Sequence, residues 1–269
     1  MQKKLGLVLG GGGAKGYAHI GVLKFLEENN IKPNYVVGTS IGAIVGALYC
    51  LGYSAKQIEQ TAKEIKFRQL FDITLPKKGL IKGEKIERYL RHLFENKKIE
   101  DLQKPFFAVA VDINEFQEII FNKGDLTKAV RASISIPGIF HPVKNKNRIL
   151  VDGGVLNNLP IDVLKKKTEK IITVDLERHK IKPPVYEKAF AQNDVDKETK
   201  LINVLLNTYR MTIATQLKHF SPESKDILIL APNLEKIALK DFQKIDEGIK
   251  QGYECAKKNS KELKGFSKK

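Results

Sequence analysis

Residues 35–51 read YVVGTSIGAIVGALYCL, and where this stretch is divided decides the fold. The uncharged run continues to Tyr53, 19 positions in all, close to the length of a membrane span. Gly38, Gly42 and Gly46 recur at the spacing of a helix-packing seam. One reading is therefore a single transmembrane helix. The other breaks the stretch at Gly38-Thr39-Ser40, making Asn34 to Gly38 a buried strand and Ile41 to Leu51 a buried helix stopped by Gly52. The second reading accounts for the glycines better. Gly38-Thr39-Ser40-Ile41-Gly42 is G-x-S-x-G on a strand-to-helix turn, which lifts a serine hydroxyl clear of a sheet and leaves no room for side chains two residues to either side.

Working outward, Leu5 to Leu9 is a short apolar run that predicts another buried strand. It is followed by Gly10 to Gly13 and a helical pattern carrying Ile20, Leu23, Phe25 and Leu26. Strand, helix, strand, helix is the order of a parallel sheet covered by helices. Ser54 with Gln57 three residues later predicts a capping box. Helical patterns then run to about Leu102, interrupted around Pro76-Lys77-Lys78-Gly79. Strands are predicted at 106–113 and 116–121, and a short helix from Asp125 ends before Pro137. Ile149-Leu150-Val151 leads into Asp152-Gly153-Gly154, Pro160 precedes a further helix, and residues 170–176 form a strand. A helix, a strand at 226–230 and a helix over about 239–258 follow. Strands recur from end to end, so one domain is expected over 1–269. Its core covers about 5–259, with a helical insertion at about 54–102 and a basic C-terminal tail at 260–269. The polar stretch 177–197, with Pro183-Pro184, reads as a loop. That loop and the helical insertion are both candidate lids.

The chain has 269 residues, 42% apolar and 29% charged, enough for a sizeable core. Lys and Arg outnumber Asp and Glu by 47 to 31, a net charge of +16 that favours anionic partners. Trp is absent and no basic run carries interleaved aromatics, so nucleic acid is not the expected partner. The lysine-rich faces fit solvated surface or peripheral contact with an anionic membrane. Cys50 and Cys255 make neither a disulfide framework nor a metal-ligand spacing, and no metal is expected. The apolar run before the glycines is too short for a signal peptide, so a cytoplasmic protein is expected, in peripheral contact at most with the inner face of a membrane.

Chemistry concentrates in three places. The loop Gly10 to Gly16 satisfies G-x-G-x-x-G through Gly11, Gly13 and Gly16, but a dinucleotide site also expects an acidic residue about 20 positions on, at the end of the second strand. That strand runs into Gly38-Thr39-Ser40 instead. A P-loop needs Gly-Lys followed by Ser or Thr, and Lys15 is followed by Gly16. The remaining reading is an oxyanion hole, in which side-chain-free backbone N–H groups approach a substrate oxygen. For the base that would activate Ser40, chain order permits Asp152 with His179 or His219, although neither histidine has a distinguishing motif. His19 reads as structural. Asp152, between an apolar strand and Gly153-Gly154, could also act alone as general base, or could simply be an aspartate in a turn.

Gly11-Gly12-Gly13-Ala14-Lys15-Gly16, Gly38-Thr39-Ser40-Ile41-Gly42 and Asp152-Gly153-Gly154 together, in this order, resemble the three signatures of the patatin-like phospholipase family. Residues 132–137, Ala-Ser-Ile-Ser-Ile-Pro, resemble a fourth block, and Gly252-Tyr253 fits its bacterial members. The resemblance extends from about Leu5 to Asn259. It implies a three-layer α/β/α fold with a mainly parallel sheet and a serine acyl hydrolase cleaving carboxylic esters of lipids (phospholipase, lysophospholipase or esterase). Ser40 would be the nucleophile and Asp152 its partner, in a dyad without histidine. Gly11, Gly12 and Gly13 would form the oxyanion hole. Lys15, Gly16, Gly38, Gly42, Gly153 and Gly154 would support the site, with no cofactor and no metal. Two competing functions remain at this level: a non-catalytic membrane-surface adaptor, suggested by the charge, and a nucleotide-binding enzyme using the Gly10 to Gly16 loop.

Overall fold

A computed structural model describes residues 4–65, 67–70, 72–73, 80–178, 201–218 and 224–267. Among them, eight strands form one sheet: β1 Leu5–Leu9, β2 Tyr35–Thr39, β3 Phe106–Asp112, β4 Gln117–Phe121, β5 Val143–Asn145, β6 Arg148–Asp152, β7 Lys170–Val174 and β8 Ile227–Leu230. The α-helices are α1 Tyr17–Glu28, α2 Ile41–Leu51, α3 Ala55–Glu64, α4 Phe67–Leu70, α5 Glu84–Leu93, α6 Leu126–Ser133, α7 Asp162–Lys165, α8 Leu201–Lys218, α9 Ile245–Lys258 and α10 Ser260–Ser267.

Strand alternation sorts the core onto two faces. Leu5, Leu7 and Leu9 point into the larger cluster with apolar residues of α1, α2, α3, α5 and α9. Val8, Val37, Phe107 and Val109 point the other way, against Val163 and Leu164 of α7 and Tyr209 and Ile213 of α8. The result is the expected three-layer α/β/α arrangement. β8, β7, β1, β2 and β3 pair in parallel, while β4, β5 and β6 join in antiparallel pairs.

The division of residues 35–51 falls at Ser40. Among the described residues no helix is long and apolar enough to cross a membrane. The small residues serve helix-on-sheet packing: a Cβ on Gly46 would lie 3.0 Å from the Phe106 ring and 3.2 Å from Val36. The capping box of α3 is present, Ser54 Oγ accepting from Gln57 N at 3.3 Å and Gln57 Oε1 from Ser54 N at 2.9 Å.

Two expectations are corrected. The basic tail at 260–269 is helical over Ser260–Ser267, and its Leu263 is fully buried in the main core. Two apolar side chains three apart, Leu263 and Phe266, outweigh the surrounding lysines there, so the core extends beyond 259. The last long helix begins at Ile245 rather than near Leu239.

The pairings of β3 position the site. A strand edge takes one partner at each residue. β4 pairs with residues 108–112, overlapping both β2 at 106–109 and β6 at 110–112. β2 and β6 must therefore share the opposite edge, one continuing where the other stops. β2 runs parallel to β3 and β6 antiparallel, so their C-terminal ends meet, with Thr39 opposite Val109 and Asp152 opposite Ala110.

Candidate active site

Ser40 leaves β2 with φ 56° and ψ −126°, a backbone conformation that side-chain-bearing residues rarely adopt. Its surroundings hold it there. A Cβ on Gly42 would strike the Leu9 carbonyl, and one on Gly38 would strike the Gly42 backbone, so both positions are closed to side chains. Ser40 N donates to Ser133 Oγ at 2.9 Å, and Thr39 Oγ1 donates to the Asn157 carbonyl at 2.9 Å. Ser40 stands at the N-terminus of α2, whose unpaired N–H groups favour negative charge.

Asp152 is fully buried where β6 ends against β2. Its backbone N donates to the Ser135 carbonyl at 2.9 Å. Its Oδ1 accepts from Gly154 N at 2.8 Å and from the Tyr209 hydroxyl at 3.1 Å, while Oδ2 has no hydrogen-bond partner. Burial pushes the carboxyl up to about 6, against the opposing pull of the Ser40 hydroxyl, the Gly154 N–H and the Tyr209 hydroxyl. Tyr209 is itself held well above its ordinary value, by burial first and by the Asp152 charge second, so it remains a donor.

Helix α8 clamps this turn through one face. Seven residues after Tyr209, Gln216 Nε2 donates to the Gly154 and Val155 carbonyls, both at 3.0 Å, and its Oε1 accepts from Asn158 N at 2.9 Å. Sequence reading missed Tyr209, Gln216, Asn158 and Ser133. The one signal available was two polar side chains at i and i+7 on a face otherwise carrying Ile213.

The glycine loop follows β1 and lies against Ser40: a Cβ on Gly11 would come within 3.2 Å of Ser40 Cβ and 2.5 Å of Asn158 Oδ1. Gly10 N donates to Val174 O at 3.1 Å and Gly11 N to Asn158 O at 3.2 Å. Of the three expected oxyanion donors Gly11 is thus already engaged, and the N–H groups of Gly12 and Gly13 find no acceptor among the described residues. Asn158 Nδ2 donates to Gly11 O at 3.3 Å, tying the loop to the turn after Asp152. His19 Nε2 meets Gly10 O at 2.8 Å, and burial lowers this imidazole to about 4, so it is neutral and structural as expected. Lys15, expected to support the site, is 1% exposed and pairs with Glu177 at 2.5 Å, so its positive charge beside the loop is largely neutralised by a carboxylate. Gly16 packs against Ile41, and Gly153 against the Val109 carbonyl. His179 and His219, the alternative bases, lie outside the described residues.

Arg131, 2% exposed, donates to the carbonyls of Gly83, Lys82 and His141 and to Ser135 Oγ at 2.7 Å. It thereby joins the helical insertion to the segment that receives the Asp152 backbone. Among the described residues, no group of three His, Cys, Asp or Glu is placed to hold a metal.

A strained serine at a strand-to-helix turn, a buried aspartate on the strand that meets it and a glycine loop against the serine make up the candidate site. The patatin-like phospholipase family profile matches residues 7–165. The chain belongs to the patatin-like phospholipase family. It is 34% identical over 270 residues to an uncharacterized NTE family protein of Mycobacterium bovis, covering 95% of this chain and 46% of that relative. It is 32% identical over 270 residues to a lysophospholipase of Meyerozyma guilliermondii, covering 94% of this chain and 19% of that relative. The chain thus spans less than half the length of these curated relatives. Among solved structures, VipD from Legionella pneumophila superposes with a TM-score of 0.63 at 15% identity, over 98% of this chain and 67% of that one. That likeness concerns the patatin-like fold.

Proposed function

We propose that this patatin-like chain hydrolyses carboxylic esters of lipids by a Ser40–Asp152 dyad. The observation that carries the reading is the meeting of β2 and β6 end to end, which brings a strained serine to a buried carboxylate whose Oδ2 is unengaged. Asp152 accepts the Ser40 proton as Oγ bonds to the acyl carbon, and the carbonyl oxygen becomes an oxyanion facing the free N–H groups of Gly12 and Gly13. Collapse breaks the ester C–O bond, and the departing alcohol takes the proton from Asp152. Water then attacks the acyl-enzyme, giving its proton to Asp152, and Ser40 recovers a proton as the fatty acid leaves.

An apolar cavity of about 60 Å³ supports the lipid substrate class. Ile41, next to the nucleophile, lines it with Ile44 and Leu48, so it follows α2 for two turns, about 10 Å. Ile58 and Ala62 of α3 and Ile86 of α5 close it from the helical insertion, giving that insertion a role as the wall of an acyl site. Ala62→Leu should lower kcat/KM for long-chain esters roughly tenfold relative to butyrate esters, because displaced methylenes lose their burial. An unchanged chain-length profile would remove the cavity from the substrate path.

The nucleotide reading is disfavoured by Glu177, a carboxylate paired with the loop's lysine where a phosphate would need a free cation. The direct test of hydrolysis is reaction with a fluorescent fluorophosphonate and mass mapping of the adduct. Label on Ser40 in folded protein is expected; folded protein that hydrolyses esters without labelling at Ser40 would overturn the dyad.

A further inference from the structure

The β3–β4 hairpin ends in Ile113-Asn114-Glu115-Phe116, and its last residue combines two unfavourable features. Phe116 is 85% exposed, and its φ is 52°, in the left-handed region where a bulky side chain is a clear outlier and Gly or Asn is the cheaper choice. Ile113 is 42% and Ile120 41% exposed beside it. Scattered single apolar residues are ordinary on protein surfaces, but an aromatic that is both strained and exposed at a hairpin tip calls for a compensating contact.

A second turn supplies the complementary charge. The β5–β6 hairpin carries Lys144 on β5, Lys146 in the turn and Arg148 at the start of β6, all exposed, and Lys146 also has positive φ, 54°. The two turns are tied together: Asn114 Nδ2 donates to Asn147 O at 3.3 Å, Ile113 N to Ile149 O at 3.0 Å, and Arg148 Nε lies 3.7 Å from the buried Asp112. Glu115 on the tip and the buried Asp112 beside Arg148 are the opposing charges, against three cations. Both turns extend beyond the level where Ser40 and Asp152 meet, at the sheet end to which β2 delivers the nucleophile.

We propose that these paired turns form a docking surface for an anionic bilayer, Phe116 and Ile113 entering the acyl–headgroup boundary while Lys144, Lys146 and Arg148 contact lipid phosphates. Aromatic and aliphatic insertion flanked by basic residues is the chemistry of interfacial binding, and the net charge of +16 has the matching sign. The purpose of docking rests on the lipid-ester reading above, but vesicle binding and hydrolysis are measured separately.

The test is co-sedimentation with vesicles of phosphatidylglycerol and phosphatidylcholine in equal parts, against pure phosphatidylcholine, together with hydrolysis of a soluble butyrate ester. Wild type should prefer the anionic vesicles, with binding that weakens as salt rises. Phe116→Asn should lower vesicle affinity by about tenfold yet raise the melting temperature, since Asn accepts the left-handed backbone. Lys144→Glu with Lys146→Glu should lower it by about fivefold for each charge removed. Both variants should keep butyrate hydrolysis. Vesicle binding without any ester hydrolysis would sink the catalytic reading and leave docking intact. Failure of wild type to bind, undiminished binding by Phe116→Asn, or self-association that Phe116→Asn abolishes without vesicle binding would each overturn the docking surface.

Discussion

Asp152→Asn is expected to lower kcat/KM for ester hydrolysis by about 10²–10⁴-fold, the range of a lost general base, while raising the melting temperature at neutral pH. The two effects share one cause. Folded Asp152 titrates at about 6 against an ordinary 3.8, because burial penalises its charge more than its hydrogen bonds relieve it. The folded state therefore binds the proton more tightly than the unfolded chain, and stability falls as pH rises through that window, by about 3 kcal/mol. Asparagine keeps an oxygen for the Gly154 and Tyr209 donors and carries no charge, so most of that loss is recovered. Thermal unfolding at pH 4 and pH 8 separates the explanations: the stabilisation should be large at pH 8 and small at pH 4. A destabilised variant would mean that the carboxylate is structural.

The same titration sets the pH profile. In the proposed dyad only ionised Asp152 can take the Ser40 proton, so wild-type kcat/KM should decline below about pH 6. Tyr209→Phe removes a donor that stabilises the carboxylate, so this acid limb should move to higher pH. A limb left in place with only a lower rate would reduce Tyr209 to packing.

Gly42→Ala is the second large effect, and it acts on folding. Its Cβ would meet the carbonyl oxygens of Leu9 and Gly10, backbone atoms of β1 and the glycine loop that cannot rotate away. A loss of about 3 kcal/mol of stability is expected, read as a lower urea midpoint, with activity falling alongside. Gly46→Ala is the control. Its Cβ would meet only side chains, at 3.0 Å from Phe106 and 3.2 Å from Val36, and helix propensity favours Ala by about 1 kcal/mol. Equal losses at the two positions would refute the close-approach argument at the nucleophile turn.

Much of this geometry was legible in the sequence where local rules act alone. Leu5 to Leu9 and the break at Ser40 are set by apolar runs and glycines, and the Ser54–Gln57 box by its own three-residue spacing. What stayed hidden depends on partners distant in sequence. Tyr209 looks like any aromatic on a helix until the fold sets it against Asp152, 57 residues away. Glu177 looks like the start of a polar loop until Lys15 is found buried against it. β5, three residues long, exists only through its pairing with β6. The helix at Ser260–Ser267 was masked by lysine density, which describes its solvent face and not the side holding Leu263.

For the proposed dyad, the end-to-end meeting of β2 and β6 along one edge of β3 makes competence an all-or-none property of strand alignment. Successive residues of a strand face opposite sides, so a slip of β6 by a single position would turn the Asp152 carboxylate away from Ser40 while leaving the sheet fully hydrogen-bonded. The Asp112–Arg148 contact and the Ile113 N to Ile149 O hydrogen bond thus act as the detent that fixes that alignment. A one-residue insertion in the β5–β6 hairpin should therefore cost more activity than a substitution on its exposed positions.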